Sequence, residues 1–259
     1  MPLVGQDTSP PAFLQLAAHP VRWRLMAELA GSDFRVRELV TRLEQPQNLV
    51  SYHLRLLRDG GLVTATRSSA DRRDSYYHLD LDRCADELAG SGAALHPALH
   101  TPPSSPPARH GPRHPSVLFV CTGNSARSPV AEALLSYRSA GTVRAMSAGS
   151  RPKEHLHPDA VRVLRDRFGI DVSGRRPRHL EDLADESFDL VVTLCDKARE
   201  VCPEFPGRVR RVHWSIPDPA AGDDAQGYAA FERATEEIDK RVWHLVPVLA
   251  TANHGESER

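Results

Sequence analysis

The sequence of 259 residues is poor in cysteine, in aromatic residues and in net charge. It has four Cys, aromatic residues make up 6% of the chain, and the formal net charge is −1. This composition excludes a disulfide-dense mini-protein and a disordered polyelectrolyte. So few cysteines indicate a reducing cytoplasm, in which thiols are kept for chemistry.

Long apolar runs are also missing. No run approaches the roughly 18 residues that cross a bilayer, and the N-terminal segment MPLVGQDTSP lacks the basic and apolar parts of a signal peptide. We therefore expect a cytoplasmic protein with no membrane partner. A length of 259 residues with 40% hydrophobic residues predicts two globular domains.

Proline density divides the chain. Residues 91–115 include the stretch HTPPSSPPARHGPRHP, whose prolines block helices and sheet ladders and favour an extended spacer. We predict an N-terminal domain over 1–90, a linker over 91–115, a second domain over 116–250 and a frayed tail over 251–259. The alternative, a long surface loop within one domain, is uncommon in compact proteins.

The N-terminal half predicts helices followed by a hairpin. AFLQLAAHPVRWRLMAELA has helical spacing interrupted at Pro20, and VRELVTRLE and QNLVSYHLRLLRDGG predict a short amphipathic helix and a second one. LVTATR and SYYHLDL flank a polar turn and predict a β-hairpin. This outline is that of a winged helix-turn-helix, an α+β fold that is mostly α.

A winged helix-turn-helix predicts where DNA would bind. The second helix places its N-terminal side chains against base edges, and the hairpin reaches the backbone or the minor groove. The alternative is that these polar residues form only the solvated face of a structural helix. The predicted DNA contacts are Gln47, Asn48, Ser51, Tyr52, His53, Arg55, Arg67, Arg72 and Arg73.

The segments LAAHPVRWRLMAEL and VRELVTRLEQPQNLVSYHLRLLRDGGLV, with the hairpin, resemble the ArsR-type repressor family. The resemblance implies a homodimer, formed through this domain, that binds double-stranded operator DNA and releases it when a metal or metalloid binds cysteines. VRELVTRLE has no Cys, and Cys84 is the single thiol of this half. One thiol cannot form a three-sulfur site, so we expect Cys84 to be a small buried apolar residue.

From Ser116 onwards, strands alternate with helices. SVLFV, DLVVTL and RVRRVHW predict buried strands, and PVAEALLSYRSAG, HPDAVRVLRDRFG and GYAAFERATEEIDKRVWHLVPVLA predict helices. This pattern is typical of an α/β domain with an open parallel sheet, in which ligands bind at the carboxyl ends of the strands.

The segment CTGNSARS joins the first of these strands to a helix and predicts a phosphatase-type P-loop. Backbone N–H groups there form a nest for an oxyanion, and Arg127 can bind two oxygens of a tetrahedral anion. The same positive field favours the thiolate of Cys121, which predicts nucleophilic displacement at phosphorus or an analogue. The predicted oxyanion-binding residues are Thr122, Gly123, Asn124, Ser125, Ala126, Arg127 and Ser128.

CTGNSARS and the Asp218-Pro219 pair in HWSIPDPA resemble the low-molecular-weight protein tyrosine phosphatase superfamily over residues 116–249. The resemblance implies that Cys121 is the nucleophile and that Asp218 is the general acid. Arg127 would stabilise the charge that develops on the oxyanion.

Two further thiols favour an oxidoreductase. Arsenate has the shape and charge of phosphate but can be reduced by two electrons. Cys195 could attack the sulfur of an arsenylated Cys121 and release arsenite, and Cys202 could then take over the disulfide. VTLC-x6-C with the P-loop resembles the thioredoxin-coupled arsenate reductases, which implies thioredoxin as the reductant. On one regular helix the Cα atoms of Cys195 and Cys202 would lie about 10 Å apart, too far for a disulfide, so we predict that residues 196–201 unwind.

Some of these reductases hold a structural potassium ion behind the loop, and Asn124, Glu132 and Ser147 match part of that site. The segment RRPRHLEDL offers no oxygen ligands at the positions that should supply the rest, so we predict no metal and no cofactor.

The sequence is thus interpreted as an arsenate reductase fused to a DNA-binding transcriptional regulator of arsenic resistance. Two alternatives remain open. One is a phosphatase in which Cys195 and Cys202 are idle, and the other is a non-enzymatic repressor that senses an oxyanion or the redox state.

Overall fold

The structure, a computed structural model, describes residues 9–96, 99, 114–221 and 227–252. The chain divides into two compact units, each of which is described by itself. Within the described ranges, no helix is long and apolar enough to cross a membrane. Much of the predicted linker and of the predicted tail, namely residues 97–98, 100–113 and 253–259, lies outside them.

The described part of the N-terminal unit contains five helices and three short strands. The helical run is interrupted at Pro20, as predicted, because proline is tolerated in the first turn of a helix, and Pro20 begins the second one. The elements are α1 (Ala12–Ala17), α2 (Pro20–Leu29), β1 (Phe34–Arg35), α3 (Val36–Leu43), α4 (Gln47–Asp59), β2 (Val63–Arg67), β3 (Ser75–Leu79) and α5 (Leu81–Leu95).

This unit is a winged helix-turn-helix, which confirms the predicted fold. Helix α3 ends at Glu44 in a left-handed conformation with φ 54°, and α4 starts after Pro46. Val50, Leu54 and Leu57 of α4 are at most 1% exposed, so its apolar stripe faces the core. The strands form a sheet of order β1-β3-β2.

Two elements of this unit were not predicted. Strand β1 is too short to give a periodic pattern; it pairs antiparallel with β3, with Phe34 opposite Tyr77. Helix α5 is capped by the Asp80 side chain, which accepts a hydrogen bond from the N–H of Arg83. It runs into the range predicted as linker as far as Leu95.

The described part of the C-terminal unit has four parallel strands in the order β5-β4-β6-β7, which confirms the predicted open α/β sheet. Strand β5 was missed because its sequence, RAMSAG, is not a continuous apolar run; it lies at the edge of the sheet. The elements are β4 (Ser116–Cys121), α6 (Arg127–Arg138), β5 (Arg144–Gly149), α7 (Pro158–Phe168), β6 (Leu190–Thr193), α8 (Asp196–Val201), β7 (Arg210–His213) and α9 (Gly227–Ala252).

The sheet brings the predicted reactive segments to one edge. All six residues of β4 are buried, and Val120 is paired with Ala148 of β5 and Thr193 of β6. Because these strands are parallel, the segments that follow Val120 and Thr193 leave the sheet side by side. The first becomes the CTGNSARS loop, and the second leads through Cys195 into α8.

Candidate functional site

The loop after β4 turns its amide groups inwards. The carbonyl groups of Cys121, Thr122, Gly123 and Ser125 accept hydrogen bonds of 2.8–3.3 Å from backbone N–H groups in the segment 150–157. Because these carbonyls point away from the loop, its N–H groups face the interior, next to the N-terminus of α6. Convergent N–H groups of this kind form a binding site for an oxyanion.

The CTGNSARS loop packs closely against the end of β5 because the last residue of that strand is Gly149. A Cβ atom there would lie 2.6 Å from the carbonyl oxygen of Thr122 and 2.8 Å from the backbone nitrogen of Asn124. Both neighbours are backbone atoms that cannot rotate away. Gly149 was not among the predicted site residues, although a glycine within a strand often marks a close backbone approach.

Cys121 lies at the bottom of the loop and is 2% exposed. Its sulfur is 3.0 Å from Oγ of Ser128, and Ser128 Oγ also accepts a hydrogen bond of 2.9 Å from Nδ2 of Asn124. The serine proton is therefore available to donate to a thiolate. Asn124 itself has a φ of 44°, a left-handed conformation that asparagine tolerates better than most residues.

Arg127 is buried, and it connects the loop to Asp218. Its Nη1 donates to the carbonyl oxygen of Ile216 at 3.0 Å, and its Nη2 lies 3.0 Å from Oδ2 of Asp218. Its Nε is buried and has no hydrogen-bond partner within the described residues. A buried donor without an acceptor is costly, and an oxyanion in the loop would supply that acceptor.

Cys195 lies beside the loop and is 3% exposed. Its sulfur is 3.3 Å from Oγ1 of Thr122, the residue that follows Cys121. It also caps α8 by accepting a hydrogen bond of 3.4 Å from the N–H of Ala198. The structure therefore places the second predicted thiol against the residue that follows the first.

Cys202 lies at the other end of α8, where it is half-buried. Burial raises the pKa of the Cys202 thiol, and the positive charge of Arg211 offsets part of this rise. All four cysteines are free. Seven residues of a regular helix rise about 10 Å, whereas a disulfide needs Cα atoms within about 7 Å.

The start of α8 is fixed by a buried carboxylate that the sequence analysis missed. Oδ1 of Asp196 accepts hydrogen bonds from Nε2 of His213 at 3.0 Å and from Oγ of Ser215 at 2.8 Å. Burial alone would raise the pKa of Asp196, but hydrogen bonds, led by that of His213, lower it to about 2. The Cys195 end of α8 is thus anchored to the segment that contains the end of β7.

In the N-terminal unit, most predicted DNA contacts lie on the surface of α4. Gln47, Asn48, Ser51, Tyr52 and Arg55 are all exposed, and they follow one face of the helix. The Arg55 guanidinium lies 5.9 Å from the Tyr52 ring centroid.

His53 is placed differently from the prediction. It is 3% exposed, and its ring centroid is 4.4 Å from that of His19. Burial lowers the pKa of His53, and His19 and Arg22 add to this effect. Its position on the apolar stripe of α4 directs it into the core, so it does not face a bound duplex.

The hairpin arginines are exposed, as DNA contacts require. Nη1 of Arg67 donates to the carbonyl of Arg72 at 3.0 Å, and Arg73 pairs with Asp71 at 3.3 Å. The pairing of Arg73 is screened by water because its side chain is 92% exposed.

Cys84 packs in the core of this unit and is 7% exposed. Burial, with smaller contributions from Asp80 and Glu87, raises the pKa of its thiol to about 11. The raised pKa disfavours the thiolate, which is the form that binds metals.

Comparison with known proteins identifies the C-terminal domain. Residues 116–254 match the family described as low molecular weight phosphotyrosine protein phosphatase. The chain belongs to this family. The matched residues 116–254 include the CTGNSARS loop, Cys195, Cys202 and Asp218.

The curated relatives of this phosphatase-family domain are arsenate reductases. That of Halalkalibacterium halodurans is 38% identical over 128 residues, which is 49% of this chain and 91% of that protein. Those of Bacillus licheniformis and Bacillus subtilis are each 36% identical and also cover 49% of this chain and 91% of theirs. The C-terminal domain is therefore homologous to arsenate reductases.

The N-terminal domain matches a different family from the one that its sequence resembled. Residues 19–74 match the MarR family, which corrects the ArsR-type assignment. The pattern of helix, turn, helix and hairpin that carried the resemblance describes the winged fold and does not by itself distinguish regulator families. The chain thus combines a winged helix-turn-helix domain that matches the MarR family with a domain of the phosphatase family.

Proposed function

We propose that the C-terminal domain reduces arsenate to arsenite through Cys121, Cys195 and Cys202. The observation that carries this proposal is the position of the Cys195 sulfur, 3.3 Å from Oγ1 of Thr122, the residue that follows Cys121. A phosphatase has no use for a second thiol at that place. Thioredoxin, a dithiol reductant, would return the enzyme to its reduced form.

In the first step, the Cys121 thiolate attacks arsenic while the loop amides hold the arsenate oxygens. Arg127 exchanges its contact with Asp218 for an arsenate oxygen, and its unpartnered Nε gains an acceptor. A sulfur–arsenic bond forms and an arsenic–oxygen bond breaks. Asp218, in its protonated form, donates a proton to the leaving oxygen, which departs as water.

In the second step, Cys195 attacks the sulfur of Cys121. A disulfide forms between Cys121 and Cys195, and the sulfur–arsenic bond breaks with its electron pair left on arsenic. Arsenic(V) becomes arsenic(III), and arsenite leaves. The two electrons therefore come from the two thiols.

In the third step, Cys202 attacks Cys195, and Cys121 is released as a thiolate. Helix α8 must unwind for this attack, and we propose that it unwinds from its Cys202 end because Asp196 anchors the other end. Unwinding also exposes Cys202 and removes the burial that raises the pKa of its thiol. The nucleophile therefore becomes reactive when it comes within reach.

The test is arsenite production by the full-length protein with thioredoxin, thioredoxin reductase and NADPH. We expect multiple turnovers from the wild type and from Cys84→Ser, the control in which a buried thiol outside the relay is removed. Cys202→Ser should stop after at most one turnover. A Cys202→Ser enzyme that turns over like the wild type would exclude the relay.

Cys202→Ser also separates the phosphatase alternative, because the variant should lose multiple-turnover arsenate reduction and keep its phosphatase activity. The loop and the pair of Arg127 with Asp218 favour phosphate chemistry as well as arsenate chemistry. Phosphatases that act on tyrosine usually have an aromatic residue after the Asp-Pro pair, whereas this chain has Ala220. Hydrolysis of p-nitrophenyl phosphate without arsenite production by the wild type would favour the alternative.

We further propose that the N-terminal domain binds double-stranded operator DNA as a homodimer. Its exposed α4 face and hairpin arginines would contact the duplex. Exposed leucines on α1 and α5, namely Leu14, Leu88 and Leu95, would be covered in the dimer. Sedimentation of wild type and Leu88→Asp tests this, since the variant should be monomeric.

The alternative of a non-enzymatic repressor that senses an oxyanion is tested by measuring operator affinity. Operator affinity of a Cys121→Ser protein, measured with and without arsenate, should change if the C-terminal domain acts as an oxyanion sensor. Unchanged affinity would exclude that role.

A further inference from the structure

A buried carboxylate lies behind the oxyanion loop, and two arginines neutralise it. Nη2 of Arg178 lies 3.1 and 3.0 Å from Oε1 and Oε2 of Glu132, and Nη1 of Arg175 lies 2.9 Å from Oε1. The residue Glu132 is 8% exposed. The hydroxyl of Ser147 donates to Oε2 at 2.6 Å. Both carboxylate oxygens are therefore engaged.

This arrangement does not fit the structural potassium ion that some of the similar reductases hold behind the loop. The oxygens available to such an ion belong to Glu132, Asn124 and Ser147. Those of Glu132 are held by guanidinium groups, and Oδ1 of Asn124 accepts the backbone N–H of Arg178 at 2.7 Å. Oγ of Ser147 accepts Nδ2 of Asn124 at 2.9 Å. The positive charge at this place comes from the chain itself.

The same contacts fix the direction of a hydrogen-bond chain that ends at the nucleophile. Because a carboxylate only accepts, Ser147 must donate to Glu132 and its oxygen is left to accept from Asn124. Because the N–H of Arg178 meets Oδ1 of Asn124, the amide nitrogen must face the two serines. Nδ2 therefore also donates to Ser128, whose proton is left for the Cys121 sulfur. The competing acceptor for that proton, the carbonyl of Ala148, is farther away at 3.5 Å.

We propose that Arg178 is a positioning residue whose guanidinium replaces a metal cation behind the oxyanion loop and orients the hydrogen-bond chain toward Cys121. Its backbone N–H fixes the Asn124 amide, and its guanidinium balances Glu132. Arg175 shares the charge through a single nitrogen. The domain therefore carries its own cation, and its oxyanion affinity is independent of potassium.

This inference rests on one part of the proposed function, namely that the loop binds an oxyanion. It is therefore tested by the binding of inorganic phosphate to the full-length protein. The phosphate dissociation constant and the melting temperature are measured in KCl, NaCl and choline chloride at equal ionic strength. We expect the wild type to give the same values in all three salts. Stabilisation or tighter binding in KCl alone would overturn the proposal, whereas failure to reduce arsenate would not affect it.

Variants at residue 178 isolate the guanidinium, because each keeps the backbone N–H. Arg178→Ala should weaken phosphate binding about tenfold, a loss typical of removing a partner that orients binding groups. KCl should restore part of the affinity by filling the vacated place. Arg178→Lys should keep more affinity than Arg178→Ala, since an ammonium retains the charge but not the two-oxygen geometry.

The matched control is Arg176→Ala. Arg176 lines the same cleft but is not among the guanidinium groups that reach Glu132, so its removal should leave phosphate affinity unchanged. If Glu132→Gln is combined with Arg178→Ala, the combined loss should be smaller than the sum of the two single losses. Equal effects of Arg178→Ala and Arg176→Ala, or strict additivity with Glu132→Gln, would refute the positioning role.

Discussion

The stability of α8 should set the redox potential of the Cys195–Cys202 pair. In the reduced protein α8 is a helix, and the disulfide requires that helix to open by several ångströms. Any substitution that destabilises only the helix therefore favours the disulfide. Lys197 and Val201 are suitable positions because both are exposed.

The magnitude follows from helix propensity. Glycine costs a helix interior about 1 kcal/mol relative to alanine, lysine costs little, and valine costs about half as much as glycine. Val201 is the last residue of α8, where the cost of glycine is only partly felt, so replacing both Lys197 and Val201 with glycine destabilises α8 by about 1 kcal/mol. The reduced form loses this energy and the opened, oxidised form does not. The equilibrium should shift toward the disulfide about fivefold, which lowers the reduction potential by about 20 mV.

The assay equilibrates the protein with thiol–disulfide buffers, alkylates free thiols and measures the disulfide fraction by mass spectrometry. A Cys121→Ser background leaves the second pair to be observed alone. The control replaces Glu236 and Lys240 of α9 with glycine, since both are exposed and paired four residues apart. The control should lower the melting temperature and leave the potential unchanged. An unchanged potential in the α8 variant, or an equal shift in the control, would refute the unwinding step.

Three further predictions concern other contacts. Asp196 has an ordinary pKa of 3.8 that the fold lowers to about 2, so its stabilisation is complete above pH 4 and is lost as the pH falls to 2. In urea unfolding against pH, Asp196→Asn should remove this acid-sensitive part, on the order of 2 kcal/mol. Gly149→Ala should abolish phosphate binding measured by calorimetry, because the new Cβ overlaps the loop backbone; unaltered binding would contradict that packing. Arg55→Ala should weaken operator binding in fluorescence anisotropy and reduce the salt slope by about one, and an unaffected slope would remove Arg55 from the interface.

The sequence was sufficient to predict the C-terminal fold and the oxyanion loop because their determinants are local. Strand, CTGNSARS and helix are contiguous, so the geometry of the loop follows from residues that are adjacent in the chain. The place of Cys195 beside Thr122 also follows, because parallel strands end at one edge. Strand β5 was missed because an edge strand needs no continuous apolar run.

His53 shows how two local signals can disagree. Its residue type and its place on the recognition helix favour a DNA contact, whereas its spacing from Val50 and Leu57 places it on the buried stripe of α4. The structure agrees with the spacing. His53 is buried, and its ring centroid lies 4.4 Å from that of His19 inside the unit. A periodicity test applied to each polar residue of α4 would have separated His53 from Ser51 and Tyr52.

The residues that tune the site are those that the sequence could not reveal. Arg178 and Glu132 are 46 positions apart, and Asp196 and His213 are 17 apart, so only the fold brings each pair together. The family resemblance places RRPRHLEDL near Glu132, but only the fold shows that the Arg178 guanidinium pairs with the carboxylate. Covalent spacing therefore predicts which atoms can react, whereas tertiary contacts decide how the thiolate is oriented and which end of α8 can move. If Arg178 and Asp196 were replaced with neutral residues, the reactive groups would all remain, but the oxyanion affinity and the acid stability should nevertheless change.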